Sequence, residues 1–272
     1  MPSLILSSRY TTDSQILRET ARNLGWETLR LDGQRLPDWF DPPDDQIAMF
    51  YTAPHAFDIA SQLGRSLVGC PSDWTPTLPQ GFLSREIRQT TLADALDITE
   101  PRFVKHSVSK AFPAAVYTSD SLAEATDKLQ PTSLVHVGEP VTFDVEYRCF
   151  VYDRLISTIC PYLRFGNAIT DHNDTIGSTA DELDAATAFA QSVLNCDDVY
   201  CPPAFVLDVG LIADRGWAVV EFNECWASGI YSCDPQRVLD TLVRACVPTP
   251  SVDPESNFRQ HYFNAVRRSP VV

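Results

Sequence analysis

The chain has 272 residues, 44% of them hydrophobic and 10% aromatic, which is enough to bury one large or two modest cores. Its 21 basic against 36 acidic residues give a net charge of −15, which excludes sequence-independent nucleic-acid binding, a task that needs a basic face, and opposes docking on anionic membranes. There is no apolar run of about eighteen residues and no basic secretory start. The eight cysteines form no C-x-x-C pair, so the expectation is a cytoplasmic protein with reduced thiols and neither membrane nor nucleic-acid partner.

In chain order, Ser3–Ser7 reads as a short apolar strand. Residues 14–24 read as a helix with Ile16, Leu17, Ala21 and Leu24 on one face, capped by Thr-Thr-Asp and stopped by Gly25. Strands follow at Glu27–Leu31 and at residues 47–51, the latter after the turn DPPDD. Strand, helix and strand imply a small parallel α/β domain over residues 1–80, and the lack of a G-x-G-x-x-G turn excludes the usual dinucleotide site. A Pro-rich crossing, residues 71–79, closes it.

Beyond the crossing, residues 83–96 read as a helix carrying Arg85 and Arg88, and residues 102–104 as a strand running into Lys105. Residues 114–117 read as a strand and 122–129 as a helix. Strands at 134–137 and 141–152 are divided by Gly138-Glu139-Pro140; one more strand at 154–161 precedes a loop-rich section and an alanine-rich helix, Ala180–Leu194. From about Pro248 the chain is Pro-rich and polar and reads as a partly extended tail, residues 248–272.

The most informative stretch is residues 205–229, FVLDVGLIADRGWAVVEFNECWASG. Two apolar runs flank a turn holding Asp214 and Gly216, so they read as an antiparallel hairpin. Side chains alternate along a strand, so Glu221 and Asn223 share a face, and Asp208 can meet them from the partner strand. Two carboxylates and an amide suit a hard cation that fills its shell with water and phosphate, which describes Mg²⁺ beside a nucleotide better than Zn²⁺. The alternative is a hairpin whose polar residues simply face solvent. Cys196 and Cys201, with no His at ligand spacing, are a poor zinc pair.

Lys105 and Lys110 flank a short loop with two serines, able to hold a polyphosphate by charge or to be an ordinary solvated loop. His106, between them, is a candidate base or a plain loop residue. Glu146 and Arg148 share a face of an otherwise apolar strand, either as an ion pair or with Glu146 on ribose hydroxyls and Arg148 on a terminal phosphate or acyl phosphate.

Taken in order, Lys105, Lys110, the Gly138–Val141 hinge, Glu146-Tyr-Arg148 and the Asp208 strand paired with Glu221-x-Asn223 resemble the ATP-grasp superfamily, specifically the clade named for one arginine and two lysines. The resemblance covers roughly residues 81–245, and the opening unit is similar to the domain that precedes ATP-grasp folds. The loop from Lys105 to Lys110 departs from many members in having no glycine. The resemblance implies an α/β (α+β) fold: an N-terminal parallel domain, then a two-lobed ATP-grasp unit with antiparallel sheets, its lobes at 81–136 and 137–247. It further implies ATP and Mg²⁺ as cofactors and a ligase that joins a carboxylate to an amine or thiol through an acyl phosphate. Arg148 and Lys110 would act in catalysis; Lys105, Lys110, Val137, Glu139, Val141, Glu146 and Arg148 would bind the nucleotide; Asp208, Glu221 and Asn223 would hold the metal. A small-molecule or peptide substrate would meet Tyr162, Arg164, Ser228, Gly229 and Tyr231, although Tyr162 and Arg164 also fit as interdomain contacts. Monomer and homodimer both remain open. A phosphotransferase that stops at phosphoryl transfer and a non-catalytic nucleotide- or peptide-binding module are the alternatives.

Overall fold

A computed structural model describes residues 1–42, 46–52, 55–169 and 178–267. Ser3–Ser7 (β1) is apolar and buried, and a strand buried on both faces needs neighbours that return by crossovers. It lies between Glu27–Leu31 (β2) and Ile47–Phe50 (β3), parallel to both. Thr12–Asn23 (α1) makes the first crossover, started by a reciprocal cap between Thr11 and Ser14 and buried through Leu17 and Ala21. His55–Gln62 (α2), Arg65–Leu67 (β4) and Trp74–Thr77 (α3) complete this unit before the chain leaves it.

Residues 83–96 differ from the expected helix: Ile87–Thr91 is a strand (β5) and only Leu92–Ala95 is helical (α4). The apolar spacing was compatible with a helix. The β-branched Thr90 and Thr91 and pairing along the whole strand settled the contest for β5, a case of tertiary context overriding pattern. Arg102–His106 (β6), Ala115–Tyr117 (β7), Ser119–Ala125 (α5) and Leu134–Gly138 (β8) follow, and the four strands form an antiparallel sheet in the order β5-β8-β6-β7. One face buries Val104, Val135 and Val137 against Leu92 and Leu122, a core separate from that of the rest of the molecule. Register places Lys105, His136 and Gln89 in a row on the opposite face.

Phe143–Tyr152 (β9), Leu155–Arg164 (β10), Asn167–Ala168 (β11), Ala204–Ile212 (β12) and Gly216–Asn223 (β13) make a second antiparallel sheet in the order β11-β10-β9-β12-β13. Ala180–Leu194 (α6) packs against it through Ala186, Ala190 and Val193. Pro235–Ala245 (α7), capped by Asp234, inserts Val238, Leu239 and Leu242 between this sheet and the N-terminal one, so the two share a core.

The stretch expected as a partly extended tail, residues 248–272, instead folds back as far as residue 267, and residues 268–272 lie outside the described residues. Cys246–Pro248 (β14) pairs with β4, Pro250 and Pro254 sit in two 3-10 turns, and Phe258–Arg267 (α8) buries Phe258 against Phe57 and Trp226. Phe258, Tyr262 and Phe263 are one helical stripe, a signal present in the sequence and masked by its proline content. Among the described residues no helix is long and apolar enough to cross a membrane.

Candidate functional site

Strand register builds the site. Arg148 on β9 lies opposite Asp208 on β12, and Asp208 lies opposite Glu221 on β13, so the three form one cross-strand row. A register shift after Asp208 leaves Val220 as the extra residue while Asn223 stays on the face of Glu221. Arg148 grips Asp208 with two hydrogen bonds, Nε to Oδ1 at 3.0 Å and Nη2 to Oδ2 at 2.7 Å, the bidentate form that makes such pairs strong. Its Nη1 donates to Gly229 O at 3.1 Å, and the guanidinium lies 5.0 Å from the ring centres of both Tyr162 and Tyr231.

The three expected metal ligands are together. Asn223 Nδ2 donates to Asp208 Oδ2 at 2.9 Å and to Glu221 Oε1 at 3.1 Å, so the amide N–H₂ bridges the two carboxylates. From the other lobe Lys105 forms an ion pair with Glu221. Burial pushes the Glu221 carboxyl up, but Lys105 and Asn223 outweigh it and hold it down at about 2. Asp208 is wholly buried, and burial, opposed by Arg148, leaves its carboxyl above the ordinary range. Burial also works against the Arg148 charge, yet Asp208 overcomes it and keeps the guanidinium firmly protonated.

As a donor set, two carboxylates and an amide oxygen fit a hard divalent cation once the Asn223 amide turns its oxygen inward. Among the described residues there is no group of three or more His, Cys, Asp or Glu side chains suited to a metal, and a cation held by this mixed trio would take its remaining ligands from water or phosphate.

Glu146 stands on the same face, accepting from the Tyr162 hydroxyl at 2.5 Å. Burial, reinforced by Asp208 and Glu221, raises its carboxyl above the ordinary range although Tyr162 pulls the other way. Tyr162 stacks on Tyr231, ring centres 5.1 Å apart. Ser228 is buried, its hydroxyl committed to Glu224 O at 2.8 Å, whereas Gly229 and Tyr231 border Arg148 directly.

Arg164 and Lys110 lie apart from the cluster. Alternation puts Tyr162 and Arg164 on one face, but a register shift between Pro161 and Leu163 makes Tyr162 a bulge and sends Arg164 to the α6 side. There it pairs with Glu182 at 2.6 Å, away from the cluster. Lys110 is exposed on the loop after β6 and makes no hydrogen bond or ion pair with the cluster among the described residues. Arg148 is engaged by Asp208.

Val137, Glu139 and Val141, expected to bind the nucleotide, lie apart from the cluster, at the end of β8 and in the connection to β9. Val137 has both neighbours of its ladder, Arg88 and Val104, and its side chain enters the core on the face away from Lys105. Glu139 N–H donates to Glu86 O at 2.8 Å, and its carboxylate accepts from Arg215 at 2.7 and 2.9 Å. Val137 and Glu139 line a cavity of about 410 Å³ with Arg88, Asp97 and Arg102. Val141 lies in the connection to β9, half-buried.

His106 is buried, and its Nδ1 accepts from the Val108 and Ser109 N–H groups at 3.3 and 3.2 Å, so it organises its own loop.

Three residues near the cluster had no role in the sequence reading. Arg85 is buried, donates to Val219 O and Val220 O at 2.7 and 2.9 Å, and has its pKa lowered by burial to about 10 despite Glu146 and Glu221 nearby. It ties the chain entering the four-stranded sheet to the back of β13. His136 sits beside Lys105 in the cross-strand row, with Nε2–H donating to Ser72 O at 2.8 Å and a buried Nδ1 without a partner among the described residues. Asp13 reaches the site from α1. Only the pairing of distant segments reveals these, and no local pattern marks them.

The family model for the ATP-grasp domain, family 2 of the clade named for one arginine and two lysines, matches residues 82–241, more than half of the chain, and the chain belongs to that family. No curated protein matches it. Among solved structures, D-alanine–D-alanine ligase from Bacillus anthracis aligns with a TM-score of 0.53 at 14% identity, over 97% of this chain and 99% of that one. The same enzyme complexed with ATP gives 0.51 at 13%, over 97% and 99%. Macrocyclase MdnC bound with precursor peptide MdnA from Microcystis aeruginosa MRC gives 0.51 at 12%, over 89% and 99%. At such identities the likeness is one of fold: an α/β protein with a parallel N-terminal sheet and antiparallel ATP-grasp sheets.

Proposed function

We propose that the protein is an ATP- and Mg²⁺-dependent ligase that activates a carboxylate as an acyl phosphate and joins it to an amine or thiol, with an amino acid or peptide among its substrates. The observation that carries this reading is the convergence of Asp208, Glu221 and Asn223 on one face of β12 and β13, with Lys105 arriving from the facing sheet. A bound Mg²⁺ would supply charge neutralisation for the polyphosphate and for the group being transferred. Asp208, Glu221 and Asn223 would hold it. Lys105, now paired with Glu221, is the cation positioned to take a phosphate once Glu221 has another partner. Arg148 orients Asp208 and secures Gly229 O, and so acts on the ligand set rather than on the phosphate. Tyr162 and Tyr231, with Gly229, border the side from which a nucleophile could approach.

Two of the structural relatives agree with this chemistry, one a ligase solved with ATP and the other a macrocyclase bound with a precursor peptide. The exposed position of Lys110 favours the second reading, a nucleotide- or peptide-binding module without turnover. The two separate in one assay: ADP release from MgATP, screened over free amino acids and short peptides. Release that depends on an added amino acid or peptide supports the ligase. Tight MgATP binding with no release over the full screen would replace it with the binding module.

A further inference from the structure

Asp13 is the second residue of α1, where a carboxylate is at home for local reasons alone: it faces the positive end of the helix. Its contact is not local. Asp13 Oδ2 accepts the N–H of Ile230 at 3.1 Å, joining residues 217 apart in sequence. The approach is close enough that a Cβ on Gly229 would stand 3.3 Å from the same oxygen, so a side chain there would press on the contact.

Ile230 is the middle of the segment that touches Arg148 twice. Gly229 on one side accepts from Arg148 Nη1, and Tyr231 on the other lays its ring against the guanidinium and against Tyr162. Tyr231 has φ +49, a left-handed conformation that a non-glycine residue keeps only where its surroundings impose it. The segment is tied to the N-terminal unit at a second point, where Tyr51 N–H donates to Trp226 O at 2.8 Å. One tie comes from the start of α1 and the other from the end of β3, and Asp13 is the charged one of the two.

We propose that Asp13 is a positioning residue that acts through the Ile230 amide to hold Gly229 and Tyr231 against Arg148. The N-terminal α/β unit is thereby part of the site, because one of its carboxylates sets the geometry of the nucleophile-side loop. The kinetic consequence rests on the ligase reading above; the clamp itself does not.

The test uses the full chain as wild type, Asp13→Ala and Asp13→Asn. Asparagine keeps an acceptor oxygen for the Ile230 N–H and loses the charge. Three measurements are made: hydrogen–deuterium exchange at the Ile230 amide, calorimetric binding of a non-hydrolysable ATP analogue with Mg²⁺, and ADP release over the same screen of amino acids and peptides. Asp13→Ala should speed Ile230 exchange by about tenfold or more, the loss of a hydrogen bond to a charged acceptor, while Asp13→Asn recovers most of the protection. Affinity for the analogue should stay within about threefold in both variants, since Asp13 does not touch the Asp208 cluster, while acceptor-dependent release drops about tenfold in Asp13→Ala and recovers in Asp13→Asn. Unchanged Ile230 exchange in Asp13→Ala overturns the proposal, as does faster exchange with undiminished release. If wild type neither binds the analogue nor releases ADP, the ligase reading fails and the exchange result alone decides the clamp. If Asp13→Ala does not fold, Asp13→Asn with exchange as fast as unstructured chain overturns it as well.

Discussion

Arg148 and Asp208 are almost wholly withdrawn from water, with side chains 8% and 0% exposed, so neither can be removed without stranding the other as a buried charge. Asp208→Ala should therefore cost about 3–5 kcal/mol of stability, measured by urea denaturation, before any effect on ligands is considered. Glu221 is 31% exposed and its partner Lys105 can reach solvent, so Glu221→Ala should cost less, about 2 kcal/mol, while removing a carboxylate from the proposed cation set. Similar losses in the two variants would contradict this division of roles. His136 gives a pH signature. Burial, with Lys105 nearby, lowers its pKa to about 3, so the folded protein holds it neutral where the unfolded chain would bind a proton. The stability it contributes is fully present above the ordinary imidazole range near 6.5 and is lost as pH falls toward 3. In His136→Gln the fall in stability over that window should be shallower by up to about 1.4 kcal/mol per pH unit. An unchanged slope would mean the ring is not buried neutral.

At the level of elements, the hairpin of β12 and β13 was legible because strand alternation is a local rule and the turn residues Asp214 and Gly216 stand where it needs them. The bulge in β10 was not, since one extra residue leaves the alternating pattern intact in sequence and flips Arg164 in space. Strand β5 was missed for a related reason: its partner β8 lies far along the chain, and pairing outweighed a helical spacing. Helix α8 shows composition misleading where periodicity would have helped. Its Phe258 is 1% exposed against Phe57 and Trp226, so Phe258→Ala should destabilise the protein by about 3–5 kcal/mol, read as a lower urea midpoint. A change below about 0.5 kcal/mol would mean that the terminal segment is not part of the core.

Across the whole molecule, the N-terminal sheet and the five-stranded sheet share one core through α7, while the four-stranded sheet keeps a small core of its own. The site lies where that smaller unit meets the larger one, and the Lys105–Glu221 pair crosses the junction. Composition and the order of motifs were enough to read the fold class and the shared face of Asp208, Glu221 and Asn223. They could not reveal that Arg148 serves Asp208, that Lys110 stays exposed or that Asp13 reaches Ile230, because each depends on which distant groups meet once the chain is packed. The central claim is that the Asp208, Glu221 and Asn223 row binds a divalent cation together with a nucleotide triphosphate. It is tested most directly by calorimetric titration of a non-hydrolysable ATP analogue into wild type and Glu221→Ala, each with and without Mg²⁺. Binding that requires Mg²⁺ in wild type and weakens at least about a hundredfold in a folded Glu221→Ala is the predicted result. Equal affinity in the two proteins, or binding indifferent to Mg²⁺, would contradict it.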